Sequence, residues 1–302
     1  MHLSIVTTSY NSASTITKFF SELKKVISEL NISDYEVIVV DDGSKDETVE
    51  ILKKIKENFN NLKIIILSKN YGHHKALITG LNESIGKLIF LLDSDLEENP
   101  SELKNLLKEI ENYDFVYGIQ KKRAAGLITN FFGNIFYKLF NFVSSAEIPR
   151  NLMTMTLMKY KVKEELDRFK EKEIFFHGIL HTIGFKKKGI IIDKTFKGKT
   201  AYTLSKKLNL FFDAITSFSS LPLKIFFYLG LIISSISAIY AIYLIFRYLS
   251  FKISVAGFTT LAVLVLFFGG LIILGIGILG IYIQKIFLEV KNRPRVTVKD
   301  KD

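Results

Sequence analysis

Apolar positions along the first 120 residues follow two rhythms. Short, nearly continuous apolar runs at 3–8, 36–40, 62–67 and 88–92 read as buried strands, and another falls at 115–118. Between the first two runs, Ile16, Phe19, Phe20, Leu23, Val26, Ile27 and Leu30 have the spacing of an amphipathic helix over 14–30. The pattern predicts further helices over 46–59 and 75–84. Such alternation predicts an α/β domain, a parallel sheet covered by helices on both faces. Sheets of this kind bind ligands beyond the carboxyl ends of their strands. Tyr10-Asn11, Asp41-Asp42 and Asp93-Ser94-Asp95 each sit just past a strand end, so they are expected at one rim.

The second half changes character. Residues 225–246 contain no charge, and neither do 255–284. Each block is long enough for a bilayer-crossing helix, the alternative being a buried soluble helix. Their short connector predicts a two-helix transmembrane hairpin with spans at 225–246 and 257–284. Lys206, Lys207 and Lys224 precede the hairpin, and Lys285, Lys291, Arg293 and Arg295 follow it, whereas the connector carries only Arg247 and Lys252. The positive-inside rule then expects a multi-pass protein of the cell (inner) membrane with its N-terminal domain and basic tail in the cytosol. The N-terminal residues run into the first strand without a basic stretch, so no cleavable signal is expected. The lack of cysteine fits a reducing compartment.

The expected organisation is the α/β domain over 1–203, a juxtamembrane amphipathic segment over 204–224, and the hairpin with its tail over 225–302. Within the first, 126–143 has the pattern of an interfacial amphipathic helix, or else of a core helix. A net charge of +11 suits an anionic lipid surface and anionic substrates. Two spans and no recognisable nucleic-acid module argue against nucleic acid as a partner. Glycines 269, 270, 275, 277 and 280 offer a small-residue surface for contact within the hairpin or in a homo-oligomer.

Asp93 and Asp95, one residue apart at the mouth of an apolar strand, can both reach one hard cation such as Mg²⁺ or Mn²⁺. A solvated loop is the alternative for that triplet taken alone. The order Tyr10-Asn11, Asp41-Asp42-Gly43-Ser44, Asn70-Tyr71-Gly72 and Asp93-Ser94-Asp95-Leu96-Glu97 resembles the family 2 glycosyltransferases of the GT-A fold, which is Rossmann-like and binds nucleotides. The fuller resemblance is to polyprenyl-phosphate (bactoprenol or dolichol phosphate) sugar transferases, which join this domain to two C-terminal spans. Phe175-Phe176-His177-Gly178, Gly184-Phe185-Lys186, Lys197-Gly198-Lys199-Thr200-Ala201-Tyr202 and Glu289-Val290-Lys291-Asn292-Arg293-Pro294 carry it across the chain.

That resemblance implies metal-dependent, inverting transfer from a nucleotide-sugar, such as a UDP-hexose, to polyprenyl (undecaprenyl) phosphate. By the same resemblance Asp42 binds the donor's base with Asp41 beside it, and Tyr10, Asn11 and Lys69 line the nucleotide pocket. A turn or helix-cap role for Asp41 can coexist with binding. Asp95 is implied as a metal ligand, Asp93 as a ligand of ribose, metal or both, and Glu97 as a further ligand. Arg123 matches the second of a family arginine pair, whose first is replaced by Gln120, and would hold a phosphate through paired hydrogen bonds. It joins Asp93 and Asp95 as a catalytic candidate. Lys194 and Lys199 lie in a second basic stretch used near phosphate, or are simply solvated. Gly198-Lys199-Thr200 is no P-loop, because Asp193 stands where the first glycine belongs.

One segment departs from the family pattern. Relatives often show Asp-Phe-Arg-Leu where this chain has Thr154-Met155-Thr156-Leu157, so the family's candidate base is absent. A phosphate monoester is already largely dianionic near neutral pH and needs positioning more than deprotonation, whereas a sugar hydroxyl needs a base. The threonines therefore favour the phosphate acceptor. They also motivate two alternatives, a non-catalytic membrane-anchored scaffold that binds nucleotide or lipid, and a transferase with another lipid acceptor. His177 and His181, four residues apart, could offer a metal two ligands but lack a third. His73-His74 are expected to line the pocket or cap a helix. A processive synthase is disfavoured, since its Gln-x-x-Arg-Trp signature needs a tryptophan and the chain has none.

Overall fold

The computed structural model describes residues 2–121, 149, 151–172, 175–193, 221–251 and 257–302. They fall into two compact units, one of Met1–Leu204 with Arg293–Asp302 and one of Ser205–Asn292.

The first unit is built on one eight-stranded sheet. Its strands are β1 (Leu3–Ser9), β2 (Tyr35–Asp41), β3 (Leu62–Leu67), β4 (Leu88–Asp93), β5 (Phe115–Gln120), β6 (Leu152–Lys159), β7 (Lys187–Ile192) and β8 (Val298–Lys301), in the order β7-β5-β6-β4-β1-β2-β3-β8. Helices cover both faces, which is why β1 is buried along its whole length and reads as an apolar run. On one face, α1 (Ile16–Glu29), α2 (Thr48–Glu57) and α4 (Leu103–Glu109) pack on Leu3, Ile5, Val37, Val39, Phe90 and Leu92. On the other, α3 (His73–Asn82), α5 (Tyr160–Leu166) and α6 (Phe176–Thr182) pack on Val6, Ile38, Val40, Ile89 and Leu91. Alternate residues of each strand thus feed two cores. Helix α1 stops where Asn31 turns left-handed at φ 52°, a conformation asparagine tolerates.

The α/β expectation holds, but the sheet is mixed, not wholly parallel. β6 runs antiparallel between β4 and β5, and β8 runs antiparallel along β3. β8 is exposed on every residue and charged on three of its four, so burial does not make it a strand. It forms because β3 would otherwise be a bare edge with unpaired backbone groups. Ile64 N donates to Asp302 O at 2.9 Å, Asp302 N to Ile64 O at 3.0 Å, and Ser68 N to Thr297 O at 2.9 Å. Lys301 pairs with Glu83 at 2.7 Å and Lys56 with Asp302 at 3.0 Å. Arg295 donates to the carbonyls of Phe169 and Glu171 at 2.5 and 2.8 Å.

The second unit contains α7 (Leu221–Phe251) and α8 (Phe258–Val290). Among the described residues one stretch of 24 residues, Phe267–Val290, is long and apolar enough to cross a membrane, with mean hydropathy 2.2 over an 18-residue window. The apolar stretch in α7, Ile225–Ser237, is shorter, so of the two expected spans the described residues supply one that qualifies. Within this unit Gly275 abuts the Phe226 ring, which a Cβ there would overlap. The expected interfacial helix at 126–143 and residues 204–220 of the expected juxtamembrane segment lie outside the described residues.

Candidate active site

The carboxyl ends of β1, β2 and β4 meet at one rim, as their parallel register requires: Ser9 pairs with Asp41 and Thr8 with Asp93. At the β2 end both carboxylates are buried and engaged. Asp41 accepts from Ser44 N at 2.9 Å, Ser44 Oγ at 2.5 Å and Ser9 Oγ at 3.2 Å. Asp42, 3% exposed, accepts from Tyr71 N at 2.7 Å and Gly72 N at 2.9 Å. Burial raises the Asp42 carboxyl above its ordinary pKa, against the opposing pull of those two amides. What the geometry displays for the pair is a brace between turns. Gly43, at φ +72°, lets the β2 turn lie against residues 69–70, where a Cβ would stand 2.7 Å from Lys69 Cα and 2.8 Å from Asn70 N.

Asn11, left-handed at φ 49°, closes the rim on the β1 side. Its N–H donates to Ser44 Oγ and its Oδ1 accepts from Lys45 N, both at 2.9 Å. Tyr10 is 45% exposed and Lys69 lies 5.2 Å from the Tyr71 ring centroid. Of the expected nucleotide-pocket residues, Tyr10, Asn11 and Lys69 are open at this rim, while Asp41 and Asp42 support it from beneath.

Strand alternation and register place the remaining groups. Ile89 and Leu91 face the core of α3, so Asp93 points to that side too. In β6, Met153, Met155 and Leu157 face the opposite core, which turns Thr154 and Thr156 to the α3 side. Leu91 pairs with Thr156, and the antiparallel register carries on to set Thr154 beside Asp93. Thr154 Oγ1 donates to Asp93 Oδ2 at 2.9 Å. His73, the first residue of α3, sits over this row with Nδ1 3.1 Å from Thr8 Oγ1. Its Nε2 lies 3.5 Å from Thr154 Oγ1 and 3.6 Å from Asp93 Oδ1. Beneath, Glu98 is 1% exposed and ties the strands by accepting from Thr154 N at 2.9 Å and Asp93 N at 3.3 Å. Nothing in its polar turn marked Glu98 as buried. Thr154, legible from the sequence only as a lost carboxylate, is a partner of Asp93.

The loop after β4 is pinned by Ser94 Oγ donating to Thr8 O at 2.7 Å, and Glu97 N donates to Asp95 Oδ1 at 2.9 Å. Leu96 is left-handed at φ 63°, a strained conformation for a leucine of roughly 1–3 kcal/mol. Asp93 Oδ1 is buried and accepts no hydrogen bond, and Asp95 is exposed. Two anionic oxygen donors, one with a free buried oxygen, fit a hard cation that takes its other ligands from water and a bound diphosphate. Among the described residues no three His, Cys, Asp or Glu side chains are grouped to hold a metal, so Glu97 does not complete a protein-only cage. Nor do His177 and His181 gain a third ligand among the described residues, and His181 Nδ1 donates to His177 O at 2.9 Å. Burial, then neighbouring positive charge, pushes His74 and His181 down to about 4 and His177 well below its ordinary value. Lys121, at the end of β5, is paired with Asp193 at 3.7 Å. Arg123, Lys194 and Lys199 lie outside the described residues.

Residues 4–188 match the family model described as Glycosyl transferase family 2. The uncharacterized glycosyltransferase YkcC of Bacillus subtilis (strain 168) is 33% identical over 303 residues, covering 98% of this chain and 93% of its own. The SfII prophage-derived bactoprenol glucosyl transferase of Shigella flexneri is 31% identical over 303 residues, covering 99% and 98%. A solved structure of S. aureus TarS 1–349 in complex with UDP-GlcNAc is similar at TM-score 0.49 and 20% identity, over 72% of this chain and 66% of that one. The family model spans more than half of the chain, and relatives above 30% identity match it nearly end to end. The chain belongs to glycosyl transferase family 2 and is a glycosyltransferase.

Proposed function

We propose that this glycosyltransferase moves a hexose, with inversion, from a nucleotide-sugar such as a UDP-hexose onto undecaprenyl phosphate at the cytosolic membrane face. The product is a lipid-linked sugar donor for cell-envelope glycan. The observation that carries this reading is the near end-to-end similarity to the Shigella flexneri bactoprenol glucosyl transferase, which includes the apolar C-terminal helices. The uncharged 225–246 block supports a second span beside Phe267–Val290, and the basic residues flanking the pair support a cytosolic catalytic unit.

The residues divide the work. Tyr10 and Asn11 present an aromatic face and an amide to the nucleoside, with the Lys69 cation beside them and Asp41-Asp42 holding the turns. Asp93 and Asp95 would hold Mg²⁺ or Mn²⁺ through carboxylate oxygens. When bound, the cation would neutralise charge on the departing nucleoside diphosphate. An oxygen of the lipid phosphate attacks the anomeric carbon from the face opposite the leaving group, and the bond from that carbon to the diphosphate breaks. Thr154 and Thr156 offer no base. A phosphate nucleophile, already dianionic near neutral pH, needs none. Sequence resemblance supports Arg123, Lys194 and Lys199 as binders of donor or lipid phosphate.

The test is a panel of radiolabelled nucleotide-sugars given to membranes holding the full chain and undecaprenyl phosphate. Label should move into solvent-extractable lipid for one donor. Asp95→Asn should lower that rate by about 100-fold or more while the protein stays folded. Donor binding with no lipid product across the panel would sink the transfer reading in favour of a scaffold, and an unchanged rate in Asp95→Asn would sink the metal assignment.

A further inference from the structure

We propose that Thr154 and His73 are positioning residues that fix the Asp93 carboxylate so that its Oδ1 faces the divalent cation. The inference rests on the metal role of Asp93 proposed above. It is carried by the direction of the hydrogen bonds around that carboxylate. An ionised carboxylate only accepts, so the Thr154 hydroxyl proton is committed to Asp93 Oδ2 at 2.9 Å. The Thr154 oxygen is then left to accept from His73 Nε2 at 3.5 Å. In a neutral imidazole with Nε2 protonated, Nδ1 is an acceptor, and the Thr8 hydroxyl at 3.1 Å supplies its proton. Thr8, His73 and Thr154 thus form a one-way chain of donors that ends on one oxygen of Asp93.

The other oxygen is what makes the chain informative. Asp93 Oδ1 is buried without a hydrogen bond, and His73 Nε2 stands off from it at 3.6 Å. A carboxylate held at Oδ2 cannot swing to satisfy Oδ1 elsewhere, so that oxygen is kept ready for a ligand. His73 is itself anchored from the nucleotide side, because Gly72, one residue before it, donates to Asp42 Oδ2 at 2.9 Å. The β2 turn and the β4 carboxylate are therefore linked through two adjacent residues of the α3 start. Hydrogen-bonded partners of metal-binding groups set the orientation and affinity of those groups.

The probe is Mn²⁺ alone, added to the full chain in detergent, with free Mn²⁺ read by electron paramagnetic resonance and apparent melting followed in parallel. Thr154→Val removes the hydroxyl at nearly constant volume and should weaken Mn²⁺ binding by about tenfold, with unchanged melting. Thr154→Ser should return affinity to within about twofold of the parent, and His73→Phe should weaken it as the valine does. Thr154→Ala replaces the valine if that variant melts early. Loss of Mn²⁺ in Asp95→Asn but parental affinity in Thr154→Val overturns the positioning role and leaves the metal site standing. Equal weakening by serine and valine overturns it too, since the hydroxyl would not be the agent. If the parent chain binds no Mn²⁺, both readings fall.

Discussion

Replacing Gly43 by alanine should separate the two turns that frame the proposed nucleotide side of the rim. The new Cβ would lie 2.7 Å from Lys69 Cα and 2.8 Å from Asn70 N, so it meets backbone that has no rotamer to change. Alanine at φ +72° adds a left-handed cost of about 1–2 kcal/mol, and forced overpacking adds about 1–3 kcal/mol. Together they amount to about 2–5 kcal/mol, which for a unit of this size lowers the melting temperature by roughly 5–15 °C. The turns are also joined by the Asp42 bonds to Tyr71 and Gly72, so UDP affinity should fall along with stability. Melting of the detergent-solubilised full chain, followed by tyrosine fluorescence with and without UDP, measures both. Gly184→Ala is the control: φ is +73°, yet a Cβ there meets nothing within 4 Å. It should carry the strain alone and shift melting by only about 2–6 °C. Equal shifts in the two variants would refute the collision argument.

Acid should destabilise the second core through its histidines. His181 is buried and pushed down to about 4 by desolvation, then by Lys187, so the folded protein keeps it neutral while the unfolded chain takes up a proton. Its contribution is complete above the ordinary value near 6.5 and fades as pH falls toward 4, a loss of about 3 kcal/mol. His181→Phe, which keeps a ring against Tyr117 and Phe115, should show a shallower fall in melting temperature over that range, and an equal fall counts against the assignment. Deleting residues 296–302 uncovers the β3 edge and removes the Lys301–Glu83 pair. Lower melting and self-association on size-exclusion chromatography are expected, and a monodisperse, equally stable truncation would contradict the edge-capping role.

The meeting of the strand ends at one rim is legible in the sequence, for identifiable reasons. Strand-end acids announce themselves because an apolar run stops abruptly at Asp41 and at Asp93, and parallel strands bring such ends together. The alternation of Met153, Thr154, Met155, Thr156 and Leu157 even shows that both threonines share a face. It does not show which strand lies alongside, and the bond from Thr154 to Asp93 exists only through the β4–β6 register. Glu98 escaped because its burial comes from bridging two backbone amides, a tertiary circumstance with no local signature. β8 escaped for the same reason: Val298-Lys299-Asp300-Lys301 has no strand pattern of its own and is ordered by the edge it completes.

That small strand has a consequence for counting. Residues 298–301 share one hydrogen-bonded sheet with strands drawn from 3–192, so both ends of the intervening chain belong to the same aqueous compartment. A path that leaves and returns to one side of a barrier crosses it an even number of times. If Phe267–Val290 spans the bilayer, a second passage must precede it, and α7 is the apolar helix described in that interval. No tally of positive charges enters this parity, and no hydropathy window does either. It is set by the backbone pairing of four exposed residues at the far end of the chain.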